Sequence, residues 1–431
     1  MFFTLAPQSL VGMGLLCAAA ASPAQSLTEV VQLALTQYPT LSAAQGRSDA
    51  AQAEVARVRS AHQPQIGVGA SLYGDASGSV PASLGRRTVS PNARLNVWSG
   101  GRIEAEAERA QALAESSQAQ QRLTEDDVAL QACEAYLSWE RSHDLLTLAQ
   151  HNLQAHQRTL EDIRQIAQVD TGRRIDLAQA QVRVDNARLV LLSRQADVAI
   201  STQRLRRFWS ATWRAPVSNQ AVTDLAKTPL GHLPPSLDAA LSHVDDALPA
   251  LAHWRAQVTA AQAAVRQAQG LYWPTIELSG SRQFNAITLR HETLTQLQLN
   301  MPLYNGQATR AQIDSALAQL RAAEANLAEA RLQLMEKVTQ AWEEWQSAQS
   351  RALTGAAQSD VGEGLVEGYR QQFRLARRSL LDLLNIQADT FNYRQAARTA
   401  FHEERMARAR LLSSLGDLAR RFSLPGDTPV R

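Results

Sequence analysis

Chemistry needs side chains that converge, and this chain offers few. Its nine histidines are scattered. None forms the His-Glu-x-x-His pair that holds zinc on one helix face. His151 and His156 are five residues apart, so a helix turns them to different sides and a surface role is expected. The pairs Asp126-Asp127, Asp245-Asp246 and Glu403-Glu404 are immediate neighbours. Adjacent side chains diverge, so they cannot share a proton for acid–base work. Glu343-Glu344, beside Trp342 and Trp345, reads as helix surface. No Gly-rich phosphate loop is present. No catalytic, cofactor or metal site is expected, so the chain does not read as an enzyme. What it does concentrate is charge at two turns. Arg173 and Arg174 follow Gly172, and Arg377 and Arg378 precede Ser379. Ser379-Leu380-Leu381-Asp382 also has the Ser-x-x-acid spacing of a helix start, where Asp382 would stabilise the first turn.

The elements that carry those turns come as a duplication. Ala50-Ala51-Gln52-Ala53-Glu54-Val55 recurs as Ala260-Ala261-Gln262-Ala263-Ala264-Val265, 210 residues later. The same shift matches Pro39 to Pro249 and Pro64 to Pro274. Further on the shift is 206, matching Asp176-Leu177 to Asp382-Leu383 and Gln181 to Gln387. Each half reads as a helix, two strands and two long helices. Residues 25–214 form the first repeat, with a β-hairpin at about 64–98 and a helical hairpin at about 101–208. A linker follows at 215–235. The second repeat, 236–418, has its β-hairpin at about 274–302 and its helical hairpin at about 306–415. A loose tail, 419–431, carries Pro425 and Pro429. From Gly101 to about Gln168 there is no proline and no second glycine. Such a helix spans about 100 Å and must pack side by side with others. The strands alternate: Ile66, Val68, Ala70 and Leu72 take one face, Gln65, Gly67, Gly69 and Ser71 the other. Gly74–Gly85 is the polar turn between them and the return strand.

Bulk properties narrow the class. The net charge of +2 argues against a nucleic-acid partner, which needs a basic face. Residues 1–24 look like a secretory signal, with an apolar stretch from Leu10 to Ala21 and Ser22-Pro23-Ala24 before the cut. No Lys or Arg precedes Arg47, so the usual charged leader start is missing. Cys17 follows Leu15-Leu16, a poor context for lipidation. Loss of the signal would leave Cys133 alone, with no internal disulfide.

Four one-sided strands cannot close a barrel, and open edges are intolerable in lipid. Bacterial outer-membrane barrels need eight or more strands, so several copies must contribute. Tyr73, Trp98, Tyr272, Trp273, Phe284 and Tyr304 cluster at strand ends. On their own they fit either interfacial aromatic girdles or the core of a soluble β-subdomain. The signal and the missing globular core favour the membrane.

Here the sequence resembles the TolC family of outer-membrane efflux and secretion proteins. The likeness rests on Tyr38-Pro39-Thr40-Leu41 with Leu248-Pro249-Ala250-Leu251, Tyr272-Trp273-Pro274-Thr275-Ile276, Pro302-Leu303-Tyr304-Asn305-Gly306 and the run Arg377 to Asn385. Each is weak alone; their order, spacing and duplication are together specific. The resemblance implies a mainly α fold with a membrane β part: a homotrimer with a twelve-stranded barrel and an α-helical tunnel across the periplasm. It implies an outer-membrane location, contact with lipid, a periplasmic adaptor and an inner-membrane ABC or RND transporter. In the family, aspartates near the periplasmic tip narrow the entrance. Their two positions fall on Asp382 and Asn385, so half of that pattern is kept. Three carboxylates would make a cation-attracting constriction, and the helix-start role can hold beside it. Asp176, the repeat partner of Asp382, is a further candidate for the same periplasmic constriction. Gly172, Arg173, Arg174, Arg377, Arg378 and Ser379 would form the adaptor-docking tip, or simply solvate two exposed turns. The 377–387 run and the 169–174 turn resemble the type I protein secretion branch, with drug or metal efflux as the alternative. A structural periplasmic coiled coil is the competing class, but it leaves the two hairpins unexplained.

Overall fold

Proline and polar caps set the element starts in both halves. The computed structural model describes residues 26–72, 87–208, 230–244, 248–285, 290–375 and 377–423. The expected signal with Cys17, the turn at 74–85, Tyr73, the linker residues 215–229, Asp245-Asp246 and the end of the tail lie outside them. α1 (Leu27–Gln37) opens on a capping box: Ser26 Oγ accepts from Glu29 N at 3.3 Å and Glu29 Oε2 accepts from Ser26 N at 3.2 Å. α2 (Pro39–Arg59) begins with Pro39, whose missing N–H costs nothing at that position. Pro64 then marks the change to β1 (Gln65–Leu72), which returns as β2 (Arg87–Trp98). α3 (Arg102–Val169) is 68 residues long and α4 (Arg174–Arg206) runs back along it.

The second half repeats this plan with α6 (Pro249–Gln269), β3 (Thr275–Asn285), β4 (Arg290–Asn300), α7 (Ala308–Arg374) and α8 (Leu380–Ser414). Two short helices add to it, α5 (Leu237–Ser242) and α9 (Leu418–Phe422).

The strands form one antiparallel sheet in the order β1-β2-β3-β4. The central pair, β2 with β3, joins the two halves, and β1 and β4 are the sheet's edges. Apolar side chains stand out from one face: Ile66 is 82% exposed, Val68 71% and Leu297 67%. That surface is suited to lipid, not to water. Trp98, Trp273 and Tyr304 sit at the sheet end nearest the helices, with Trp98 and Trp273 edge to face at 6.4 Å.

Each long helix is matched by two shorter ones. α2 packs Val55 and Val58 against Ala110 and Ala114 of α3, while α4 packs Ala180 and Val184 against Leu160 farther along. Midway, at residues 128–139 of α3, lies the main core, with Val30, Val31, Leu137, Trp139 and Leu412 buried together. Full burial of each such side chain contributes about 1.5–3 kcal/mol.

Two expectations are corrected at this waist. The tail does not loosen at 419: Leu418 and Phe422 are fully buried in the core, and Ala419 N donates to Asp126 Oδ1 at 2.8 Å. The prolines begin only at Pro425, and a four-residue apolar spacing puts Leu418 and Phe422 on one face. His156 is not on the surface either. It is buried between α3 and α4, and desolvation followed by the nearby Arg183 charge pushes its pKa below the usual histidine value.

Candidate functional site

The two helical hairpins turn at the ends farthest from the sheet, and both turns are built from local hydrogen bonds. In the first, Asp170 Oδ1 accepts from Gly172 N at 3.0 Å, closing an Asx-type turn over Thr171–Arg173. Arg173 sits between two carboxylates, 3.2 Å from Asp176 Oδ2 and 3.7 Å from Asp170 Oδ2. Asp176 is therefore neutralised by its own turn. Arg174 is exposed.

The second turn uses other groups. Ser379 and Asp382 form a reciprocal capping box: Ser379 Oγ accepts from Asp382 N at 3.2 Å, and Asp382 Oδ2 accepts from Ser379 N at 3.3 Å. Arg378 folds back onto α7, donating to Gln372 Oε1 at 3.2 Å with its guanidinium 4.7 Å from the centre of the Tyr369 ring. Arg377 is exposed. Among the described residues no arginine pairs with Asp382. Its charge is offset only by the first turn of α8.

The hairpins are stitched to each other just behind these turns. Ile163 of α3 packs on Leu380 and Leu384 of α8, with Leu177 and Phe373 at the margin. Gln387 donates to Thr159 Oγ1 at 3.2 Å inside this contact. Thr390 Oγ1 donates to the Gly362 carbonyl at 3.2 Å. A Cβ on Gly362 would lie 3.2 Å from Thr390 Cγ2, so glycine there lets α7 and α8 close up. Arg183 of α4 donates to Asn385 Oδ1 at 3.2 Å across the two hairpins. The site thus brings together Ser379, Asp382 and Asn385 at the N-cap and first two turns of α8. It places Asp176, Gly172, Arg173 and Arg174 on the neighbouring turn, with Asp176 engaged separately.

Sequence reasoning missed Arg183. It follows Asp176 by seven residues and so shares its face of α4, but Asn385 lies 202 residues away in the chain. The larger omission is at the waist. Arg405, 1% exposed, donates to Glu140 Oε2 at 2.6 Å, and His402 Nε2 lies 2.8 Å from Asp144 Oδ2. Burial raises the Asp144 pKa, but the His402 hydrogen bond and the charges of His402, Arg398 and Arg405 outweigh it and hold it below the usual carboxylate range. At the base of α9 burial dominates instead. It pushes Asp126 up to about 6, with Asp417, Asp127 and Glu125 adding to the rise and the Ala419 N–H opposing it. Burial likewise drives the Cys133 thiol far up, so this cysteine is an inert packing group.

A sheet with two open edges, an outward apolar face and a pair of hairpins about 100 Å long is the layout of a channel subunit. The sequence model described as outer membrane efflux protein matches residues 30–211 and 242–417. The chain belongs to the outer membrane efflux protein family. Among its relatives, the outer membrane efflux protein BepC of Brucella suis is 24% identical over 370 residues, covering 84% of this chain and 79% of BepC. The toluene efflux pump outer membrane protein TtgC of Pseudomonas putida is 24% identical over 314 residues, covering 69% of this chain and 62% of TtgC. Solved structures share the fold. CusC superposes with a TM-score of 0.78 at 17% identity, covering 90% of this chain and 91% of CusC. The open state of the Neisseria gonorrhoeae MtrE channel gives 0.75 at 18%, covering 91% and 89%. As a member of this family the chain is an outer membrane efflux channel. Its strands contribute to a membrane β-barrel and its duplicated helices to a periplasmic tunnel.

Proposed function

We propose that three copies of this chain form a passive exit duct, docked below to a periplasmic adaptor and an inner-membrane transporter that supplies the energy. The observation that carries this reading is the open four-stranded sheet at one end of the paired hairpins. Three such sheets give a closed barrel, and the hairpins continue it as a tunnel. The periplasmic entrance is the constriction at Asp382 and Asn385. Three unpaired carboxylates there attract cations and narrow the passage. Gly172, Arg173, Arg174, Arg377, Arg378 and Ser379 form the surface that meets the adaptor. Val169 and Ile175 beside them, 91% and 71% exposed, supply apolar area to the same contact.

The cargo we assign is protein, exported in one step as in type I secretion. The support is the Arg377–Gln387 run, whose residues build the capped second turn and its Thr159 contact. A drug or solvent efflux role is favoured instead by the descriptions of TtgC and of the antibiotic efflux pump protein ArpC. The two roles separate in a comparison of a deletion strain with its parent by proteomics of medium and cell surface. The protein reading expects one large secreted protein to vanish. An unchanged secretome with raised antibiotic or solvent sensitivity transfers the assignment to efflux.

A further inference from the structure

The face of the sheet opposite the apolar one is polar, and it leads to a cavity. Gln65 pairs with Arg94, Arg94 with Ser279, Asn96 with Glu277 and Glu277 with Gln298. Paired residues share a face, as do positions two apart on a strand. These side chains therefore stand on the face that Ile66, Val68 and Leu297 leave. Asn96, at the helical end of β2, borders a cavity of about 590 Å3 formed with α3, α6 and α7.

Small residues make its floor. α6 packs against both α3 and α7 and turns Ala264 and Ala268 toward the cavity at helical spacing. Ala316 of α7 is buried beside Ala268. Longer side chains at these positions would fill the space. Polar groups stand around the floor: Arg102 and Arg109 of α3, Gln267 of α6, and Gln312 and Gln319 of α7.

The charges there are unevenly matched. Arg102 and Arg109 are seven residues apart and share one face of α3. Among the described residues neither forms an ion pair. Arg102 spends its Nε on the Ser99 carbonyl at 3.1 Å, and Arg109 has no side-chain partner. Glu106, the acidic residue of the lining, lies between them on the helix but is engaged from elsewhere. Gln267 Nε2 donates to it at 3.5 Å, and Arg57 Nη2 of α2 lies 3.9 Å away. The first turn of α3 borders the same space through Ser99 and Ile103 and adds the positive end of its dipole. One acceptor is also left over. Asn96 Oδ1 is buried and takes no hydrogen bond among the described residues.

We propose that this cavity is a binding station for carboxylates passing along the tunnel wall. Arg109 and the Nη groups of Arg102 take the carboxylate, for which the guanidinium fork is suited. The amides of Gln312 and Gln319 hold the atoms that bear it, and Asn96 Oδ1 accepts an N–H beside it. A carboxylate next to an amide N–H is the chemistry of an acidic peptide segment, and equally of a small N-acylated acidic solute. The proposal rests on the duct reading in one respect: that the sheet's polar face, and the cavity with it, lines the passage. The duct is then acidic at its Asp382 entrance and basic beneath its barrel.

The test is calorimetric binding to detergent-extracted full-length protein at low ionic strength, with octaglutamate and N-acetylglutamate as probes. Arg109 is exposed and has no partner to strand, so its variants should fold as the parent does. Arg109→Gln should bind octaglutamate about tenfold more weakly, the loss of a charge-assisted hydrogen bond. Arg109→Lys should recover most of the affinity. Arg310→Gln, exposed on α7 outside the cavity, should match the parent. Absence of binding by either probe, or equal affinity in the parent and Arg109→Gln, overturns the proposal. Octaglutamate held at least tenfold more tightly than N-acetylglutamate makes the ligand an acidic peptide; equal affinities make it a small acid. Planar-bilayer recordings separate the site from the duct. Octaglutamate added on the barrel side should block the parent channel at about tenfold lower concentration than the Arg109→Gln channel. Binding without block keeps the carboxylate site and overturns its place on the passage.

Discussion

The waist and the tips of the helical hairpins hold their charges in opposite ways. At the waist, Arg405 and Glu140 are buried and bonded to each other across 265 residues of chain, with His402 and Asp144 beside them. At the tips, the ion pairs among the described residues are local, such as Arg173 with Asp170 and Asp176, three residues on either side. A buried pair cannot part without stranding a charge in a low dielectric, whereas a local pair near water travels with its own turn. The waist is therefore built to stay and the tips to move. That division suits the proposed duct, whose entrance would open while its body holds.

The sharpest way to break this contrast is at the waist. Arg405→Met strands Glu140 and should cost about 3–5 kcal/mol of stability. Adding Glu140→Leu should restore most of it, read as the unfolding midpoint in denaturant. A small loss for Arg405→Met would mean that the waist is no firmer than the tips.

Next comes Asp126 beneath α9. Its folded pKa, about 6, is raised above the usual aspartate value of 3.8. Stability from the protonated form is therefore complete below pH of about 4 and is lost as pH rises through about 6, an effect of about 3 kcal/mol at most. Asp126→Asn keeps the acceptor for Ala419 N and removes the titration. Its stability relative to the parent should rise between pH 4 and 6, and a constant difference would contradict the burial argument. His156 carries the opposite sign. Its lowered pKa favours the folded state above the usual histidine value, and that stability is lost on acidification.

Effects on stability should be smaller at the tips. Ser379→Ala removes one capping bond, costing about 1 kcal/mol. Arg183→Ala removes the exposed Asn385 contact, costing less than about 1 kcal/mol. Its effect should appear as more frequent openings of the single channel, and identical gating would make that contact incidental.

Local chemistry was legible in the sequence. The prolines at 39, 64, 249 and 274, the strand alternation and the proline-free stretches placed the strands and long helices within a few residues, and the Ser379–Asp382 spacing announced its capping box. Contacts between distant segments were not. Arg405 and His156 look like surface residues because charged and polar types usually are; only the facing helix explains their burial. Phe422 reads as part of a loose tail because its pocket is assembled from α1 and α3. Arg183 could not be joined to Asn385 without knowing that α4 and α8 meet.

The two tips also differ from each other, and the entrance assignment rests on that difference. Asp176 is neutralised by Arg173, while Asp382 is bound only to backbone. Single-channel conductance in planar bilayers tests it most directly. Asp382→Ala should raise conductance and weaken cation preference, while Asp176→Ala and Ser379→Ala leave both near the parent's values. An unchanged Asp382→Ala channel, or an equal rise in Ser379→Ala, would show that this carboxylate only caps its helix.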